Sequence, residues 1–244
     1  MEKALIMNDT DAYRVNQLWG EGSIRVFISH IAEYKLMAIE LQERLTELGV
    51  ASFVAHEDIE PTAEWQTEIE RALFSMDIFV ALLTEGFNES DWTDQEIGFA
   101  LGRGAPIICI SRGKRPYGFI AKYQAIQWGN KSGEQVADEI LGILLKREAF
   151  RDSAKNAFIT AVATAYSFVR ANNLTQFLPM IDKLSFEQEG ALVQAFNSNY
   201  EVYNARHFYP RIVTELKRMT GSNYVLKELG YMSRQLELEE DIPF

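Results

Sequence analysis

Along the first 150 residues, apolar positions follow two alternating modes. Short continuous runs recur at Ile24–Ser29, Val50–Ala55, Asp77–Thr84 and Pro106–Ser111, and within Tyr123–Trp128. Their length and β-branched content predict strands covered on both faces. Between them the apolar residues fall at helical spacing. Glu33–Leu48 carries Leu36, Ile39, Leu41, Leu45 and Leu48 and is closed by Gly49. Glu64–Ser75 builds its face from Trp65, Ile69, Ala72 and Leu73. Asp91–Arg103 reads as a third helix with Asp91 as N-cap, ended by Gly104 and Pro106, and Ser132–Arg147 as a fourth capped by Ser132. His56–Ala63, with Pro61, is a polar loop. Strands separated by helices predict an α/β fold, a five-stranded parallel sheet with helices on both faces.

The pattern changes after Glu148. Phe150–Ala171 reads as helical, and Leu174–Ile181 as a short element broken by Pro179. Ser185 with Gln188 forms a capping-box signature opening a helix to Phe196. Ala205–Thr220 and Ser222–Leu236 suggest two further helical pieces. The expected division is an N-terminal extension over 1–22, an α/β domain over 23–148, a small all-α domain over 149–236 that mediates assembly or binds a partner, and a loose acidic tail over 237–244. The amide- and aromatic-rich stretch Asn197–Asn204 fits a ligand-sensing turn, a subunit contact or a packed helix connection.

Charge narrows the partners. The 244 residues carry a net charge of −11, and residues 1–150 hold 14 basic against 24 acidic side chains. Such a field disfavours nucleic acid and anionic membranes. An anionic ligand would need local help from His30, Arg103, Arg112 or Lys122. There is no apolar run near the length of a membrane span and no apolar centre of a signal peptide near the N-terminus, so a cytoplasmic location is expected. The single cysteine, Cys109, sits in a strand run and reads as a core thiol. The three histidines are scattered, and no metal site is expected. Neither G-x-G-x-x-G nor a P-loop occurs, which removes the phosphate cradle of the usual dehydrogenases and ATPases. Ser29 and His30 are adjacent on a strand and point to opposite faces, which is unlike a nucleophile and its base.

One stretch carries chemistry. In Trp92-Thr93-Asp94-Gln95-Glu96, the ring and the carboxylate are four residues apart and share a helix face. They follow the carboxyl end of a parallel strand, where ligands of such sheets sit. Plainer readings stand beside this one: Trp92 as sheet packing, Glu96 as a carboxylate near a helix N-terminus, His30 as a polar strand end and Trp65 as a core anchor.

Several pieces in order resemble a bacterial TIR domain: Val26-Phe27-Ile28-Ser29-His30, the loop Glu57-Asp58-Ile59-Glu60-Pro61, Trp65 with Ile69 and Ala72-Leu73, Leu82-Leu83-Thr84, and Ser90 to Gly98. The resemblance covers about residues 23–148 and implies a flavodoxin-like sheet. It further implies an enzyme that takes NAD as substrate, needs no cofactor and cleaves the nicotinamide–ribose bond through Glu96. The product would be ADP-ribose or a cyclic or conjugated form. Trp92 would face the nicotinamide, Ser29, His30 and Thr84 would line the crevice, and Asp58 would contact the adenosine half from a mobile loop. Implied partners are further copies, through the TIR and helical domains, and a downstream effector in antiphage defence such as the Thoeris systems. The alternative is a non-catalytic scaffold working through TIR–TIR contacts.

Overall fold

A computed structural model of the chain describes residues 15, 17–19, 24–54, 63–226 and 232–235, with the side chains of 63–65 set aside. Asp58, most of the loop 56–63, the ring of Trp65 and the acidic tail therefore lie outside the described residues. The chain divides into two compact units, Met1–Leu141 and Gly142–Phe244. Among the described residues, no helix is long and apolar enough to cross a membrane.

The first unit is an α/β sandwich. Strands β1 (Arg25–Ser29), β2 (Ala51–Val54), β3 (Ile78–Thr84), β4 (Ile107–Arg112) and β5 (Ile126–Gln127) form one sheet in the order β2-β1-β3-β4-β5, every pairing parallel. This is the flavodoxin-like arrangement. All seven residues of β3 are buried, as continuous apolar runs require when helices cover both faces. Phe27 pairs in register with Phe53 on one side and Phe79 on the other. The three rings lie 5.5 and 5.7 Å apart in sequence across the strands.

Helices α1 (Lys35–Glu47), α2 (Ala63–Ser75), α3 (Asp91–Arg103) and α4 (Gly133–Lys146) cover the sheet, the division between units falling within α4. Phe27, Phe79, Ala81 and Leu83 share one core with Ile69, Ala72 and Leu73 of α2 and Ile97 and Ala100 of α3. Val15 and Trp19, upstream of the first strand, join that core, and the Trp19 indole donates to Ser75 Oγ at 2.7 Å. Leu41 and Leu45 of α1 and Val136 and Ile140 of α4 are buried outside that cluster. Gly49 takes the left-handed conformation that ends α1, as its spacing predicts. Ser132 and Gln135 cap α4 reciprocally, and the Gly133 amide donates to Glu40 of α1 at 2.7 Å.

Asp91 is not the N-cap of α3. It is the first helical residue, Ser90 precedes it without a side-chain cap bond, and Thr93 supplies the local tie instead. Asp91 and Asp94 in the first turn complement the helix dipole.

The second unit is mainly helical: α5 (Arg151–Ala163), α6 (Phe168–Leu174), α7 (Phe186–Ser198), α8 (Tyr200–Tyr203) and α9 (Phe208–Thr220). The stretch Phe150–Ala171, expected as one helical run, breaks after Ala163, because Ser167 caps a new helix by accepting from the Arg170 amide at 3.1 Å. The capping box at Ser185 and Gln188 forms as expected. The all-α expectation needs a second correction. Tyr224–Leu226 and Met232–Arg234 are strands β6 and β7 of an antiparallel pair, not helix. Gly221 stops α9 at φ +75°, the aromatic and β-branched residues that follow favour strand, and Asn197 donates to and accepts from the Met232 backbone.

Two interior groups yield solution predictions. The Cys109 thiol is buried and pushed up to about 11 by burial alone, so it should stay unlabelled by a thiol reagent at pH 8 and react fully in denaturant. Lys155 is buried with its ammonium 2.8 Å from Asp182 and 3.1 Å from Asp152. The Lys155 hydrogen bond, then the Lys183 amide and the Lys155 and Arg151 charges, hold Asp182 down at about 2. A depressed carboxyl stabilises the fold above its unfolded value near 4 and loses that contribution as pH falls through about 2. Thermal unfolding across that window should show a steeper loss for wild type than for Asp182→Asn.

Candidate functional site

The strand order reverses direction between β1 and β3, and the crevice at their carboxyl ends is the default ligand position of such a sheet. Ser29 is the last residue of β1. It shares the parity of Phe27, so its side chain emerges on the side of the sheet that α2 and α3 cover. Glu96 is the sixth residue of α3 and is only 6 % exposed. The Ser29 hydroxyl donates to Glu96 Oε2 at 2.5 Å, joining two residues 67 apart in sequence. A buried carboxylate must be met by donors, and a charge-assisted bond of this kind is among the stronger ones.

Several contacts fix where that carboxylate stands. The connection out of β3 turns at Gly86, whose φ of +79° admits glycine at little cost. It is then pinned by the fully buried ring of Phe87. Thr93 donates to the Phe87 and Ser90 carbonyls at 2.5 and 3.0 Å. On one flank of α3, Arg103 donates to the Leu73 and Met76 carbonyls that end α2, and Phe99 meets Phe74 edge to face. On the other flank, the Tyr117 hydroxyl donates to Asp94 at 2.5 Å. Burial, then that bond, raises the Tyr117 phenol above its ordinary value, so it stays the donor through the physiological range.

The remaining residues singled out from sequence lie around this centre. Trp92 stands at the solvent margin of α3, 38 % exposed, while Thr93, Glu96, Ile97 and Ala100 form the buried stripe. His30 is buried directly after β1. Thr84 is fully buried at the end of β3, and its hydroxyl has no hydrogen-bond partner among the described residues. It falls on the strand parity of Val80 and Leu82, opposite the face that Ser29 and Glu96 share. Of the cations weighed for anion binding, Arg103 serves α2, Arg112 donates to the Gly129 carbonyl and Lys122 lies over the Tyr123 ring.

Two segments of opposite charge follow neighbouring strands. Residues 85–96, after β3, hold five acids and no base, and residues 112–122, at the end of β4, hold four bases and no acid. Tyr117 and Asp94 join them. Sequence reasoning missed Tyr117, because nothing local to Pro116-Tyr117-Gly118 marks a partner 23 residues away. It placed Ser29 in the crevice without finding its bond to Glu96.

Residues 26–141 match the model of the TIR domain family. Among solved structures, the TIR domain of the Toll-related receptor TRR-2 from Hydra magnipapillata is similar at 21 % identity and a TM-score of 0.38, over 52 % of this chain and 96 % of that one. No curated protein matches the sequence.

Ser29→Ala should remove a donor from the buried Glu96 carboxylate and lower the stability of this unit by about 1–3 kcal/mol in urea unfolding. Tyr117→Phe keeps the ring and breaks a bond at the surface, and should cost about 1 kcal/mol or less. A Ser29→Ala protein as stable as wild type would show that the buried bond carries no net energy.

Proposed function

We propose that the TIR domain at residues 26–141 cleaves NAD between nicotinamide and ribose, with Glu96 as the catalytic residue. The observation that carries this reading is the buried carboxylate held by Ser29 at the carboxyl edge of β1. A protein seldom buries a carboxylate beside a ligand crevice for packing alone.

In the reaction the ribosyl–nitrogen bond breaks, and its electron pair leaves with nicotinamide, which departs neutral. Positive charge develops on the ribose as an oxocarbenium-like state. A carboxylate already oriented in a site of low polarity stabilises that charge without reorganising. Water then adds to the ribosyl carbon and gives up a proton, yielding ADP-ribose. An internal nucleophile of the ADP-ribosyl group gives a cyclic product instead, and an added base gives a conjugate. Ser29 acts through Glu96 by orienting it. The exposed face of Trp92 offers a plate for the pyridinium, with a cation–π attraction that fades once the ring leaves neutral.

The adjoining charged segments support a dinucleotide. The acidic run at 85–96 suits the cationic pyridinium, and the basic run at 112–122 suits the pyrophosphate. In this reading Asp58 and the loop about it take the adenosine half, His30 stands beside Ser29 at the end of β1, Thr84 on the opposite face of the sheet takes no part, and no cofactor takes part. The protein acts in the cytoplasm, and its product signals to an effector, or its NAD depletion acts directly, in antiphage defence. Self-association completes the site.

Wild-type protein incubated with NAD should release nicotinamide, resolved by chromatography with mass analysis. Glu96→Gln keeps an acceptor for Ser29 but removes the charge, and should lower the rate by about 100-fold or more. Undiminished turnover by folded Glu96→Gln protein would remove Glu96 from the mechanism. No release by wild type at any protein concentration, with self-association intact, would favour the scaffold reading.

A further inference from the structure

The segment that follows β4 is pinned at both ends. At its start Gly113, at φ +98°, bridges to Thr84 at the end of β3, and the Ser111 hydroxyl donates to the Lys114 carbonyl at 2.7 Å. At its far end Ile120 is buried in the core that also holds Ile97 and Ala100 of α3. Between these anchors stand Lys114, partly exposed, and Arg115, exposed. The other two bases of the segment are engaged, Arg112 by the Gly129 carbonyl and Lys122 by the Tyr123 ring. Lys114 and Arg115 have no ion pair and no side-chain hydrogen bond among the described residues, although five acids occupy the neighbouring segment 85–96.

The hydrogen bond that crosses from this segment to α3 comes instead from a neutral group, the Tyr117 phenol on Asp94 at 2.5 Å. A tie of that kind holds the two segments together and leaves the charge of both bases uncancelled. A salt bridge at the same place would have cancelled one of them. The tie also meets α3 where it matters. Asp94 and Glu96 belong to one turn and, two residues apart, point about 200° from each other. Ser29 holds the buried side of that turn and Tyr117 the outer side. Bonds from both sides fix the rotation of the helix about its own axis, which one bond alone does not.

Extending the NAD-cleaving reading, on which this rests, we infer that Tyr117 is a positioning residue: Lys114 and Arg115 hold the substrate's pyrophosphate, and the Tyr117–Asp94 bond passes that hold to the turn of α3 that carries Glu96. Two adjacent cations on an anchored loop match two phosphates with one negative charge each. Binding energy from a part of the substrate that does not react is then used to place the carboxylate beside the part that does. The substrate class that follows is a pyridinium nucleotide joined through a pyrophosphate. A nucleoside without phosphate draws nothing from the segment.

Steady-state cleavage of NAD by the full-length protein and its variants tests this. Replacing both bases, Lys114→Ala with Arg115→Ala, should raise KM and lower kcat, each by about tenfold. Tyr117→Phe, with the bases intact, should lower kcat by about tenfold and change KM by less than about twofold. With all three substitutions together, kcat should be no lower than with the two bases replaced, because no hold remains to be passed on. Asp94→Asn keeps an acceptor for the phenol and should retain kcat within about threefold of wild type. A purely structural role for Tyr117 would lower the melting temperature without this split between kcat and KM. Unchanged kcat in Tyr117→Phe, losses that multiply in the combined variant, or an Asp94→Asn protein as impaired as Tyr117→Phe would each overturn the assignment and leave Glu96 in its role. A wild type that releases no nicotinamide would overturn the NAD-cleaving reading itself and this assignment with it.

Discussion

The Ser29–Glu96 hydrogen bond is the constraint around which the first unit is arranged. A carboxylate 6 % exposed is tolerable only where donors meet it. The donor lies at the end of the first strand and the acceptor on the helix after the third. Meeting that demand sets how α3 lies against the sheet. The surrounding contacts hold the same helix at several points: Thr93 at its start, Tyr117 on one flank, and Phe99 and Arg103 on the other. A helix located by packing alone can slide by fractions of an ångström. One tied by directional bonds along its length holds a carboxylate at a fixed position.

Beneath the site the sheet does ordinary work. The paired rings of Phe53, Phe27 and Phe79 fill one face across three neighbouring strands, and β3 is buried throughout. Polar side chains enter this interior chiefly near the carboxyl ends of the strands, at Ser29, Thr84 and Ser111. Dry strands with polar groups at one end are what allow a crevice to be polar without weakening the core.

The helical unit relies on a different device. Side chains satisfy backbone groups where helices end: Asn199 at the end of α5, Asn197 along β7, and Arg218 on the carbonyls of Leu178 and Ile181. Such bonds join residues 34 to 40 apart in sequence. They explain why the pattern of this half was harder to read. Helix and strand were distinguishable where apolar period was strong, as in Phe186–Ser198 and Phe208–Thr220. At Tyr224–Leu226 the three-residue run was too short for period to speak, and the partner strand and Asn197 decided it.

Much of the first unit was legible in the sequence alone. Continuous apolar runs of strand length, separated by helical faces, determine a covered parallel sheet, because no other layer arrangement buries both. Spacing placed Trp92 and Glu96 on one helix near a strand end. It did not tell that the helix buries the carboxylate and leaves the ring at the margin, since four-residue spacing defines a face but not how far that face turns toward the core. Nor did it show that α3 begins at Asp91 with Thr93 as its tie, that Tyr117 reaches Asp94, or that Ser29 meets Glu96. Each of these is a contact between residues brought together by the packing of α3 on the sheet. Local pattern determined the elements, and only the tertiary structure decided which polar groups would have to satisfy one another.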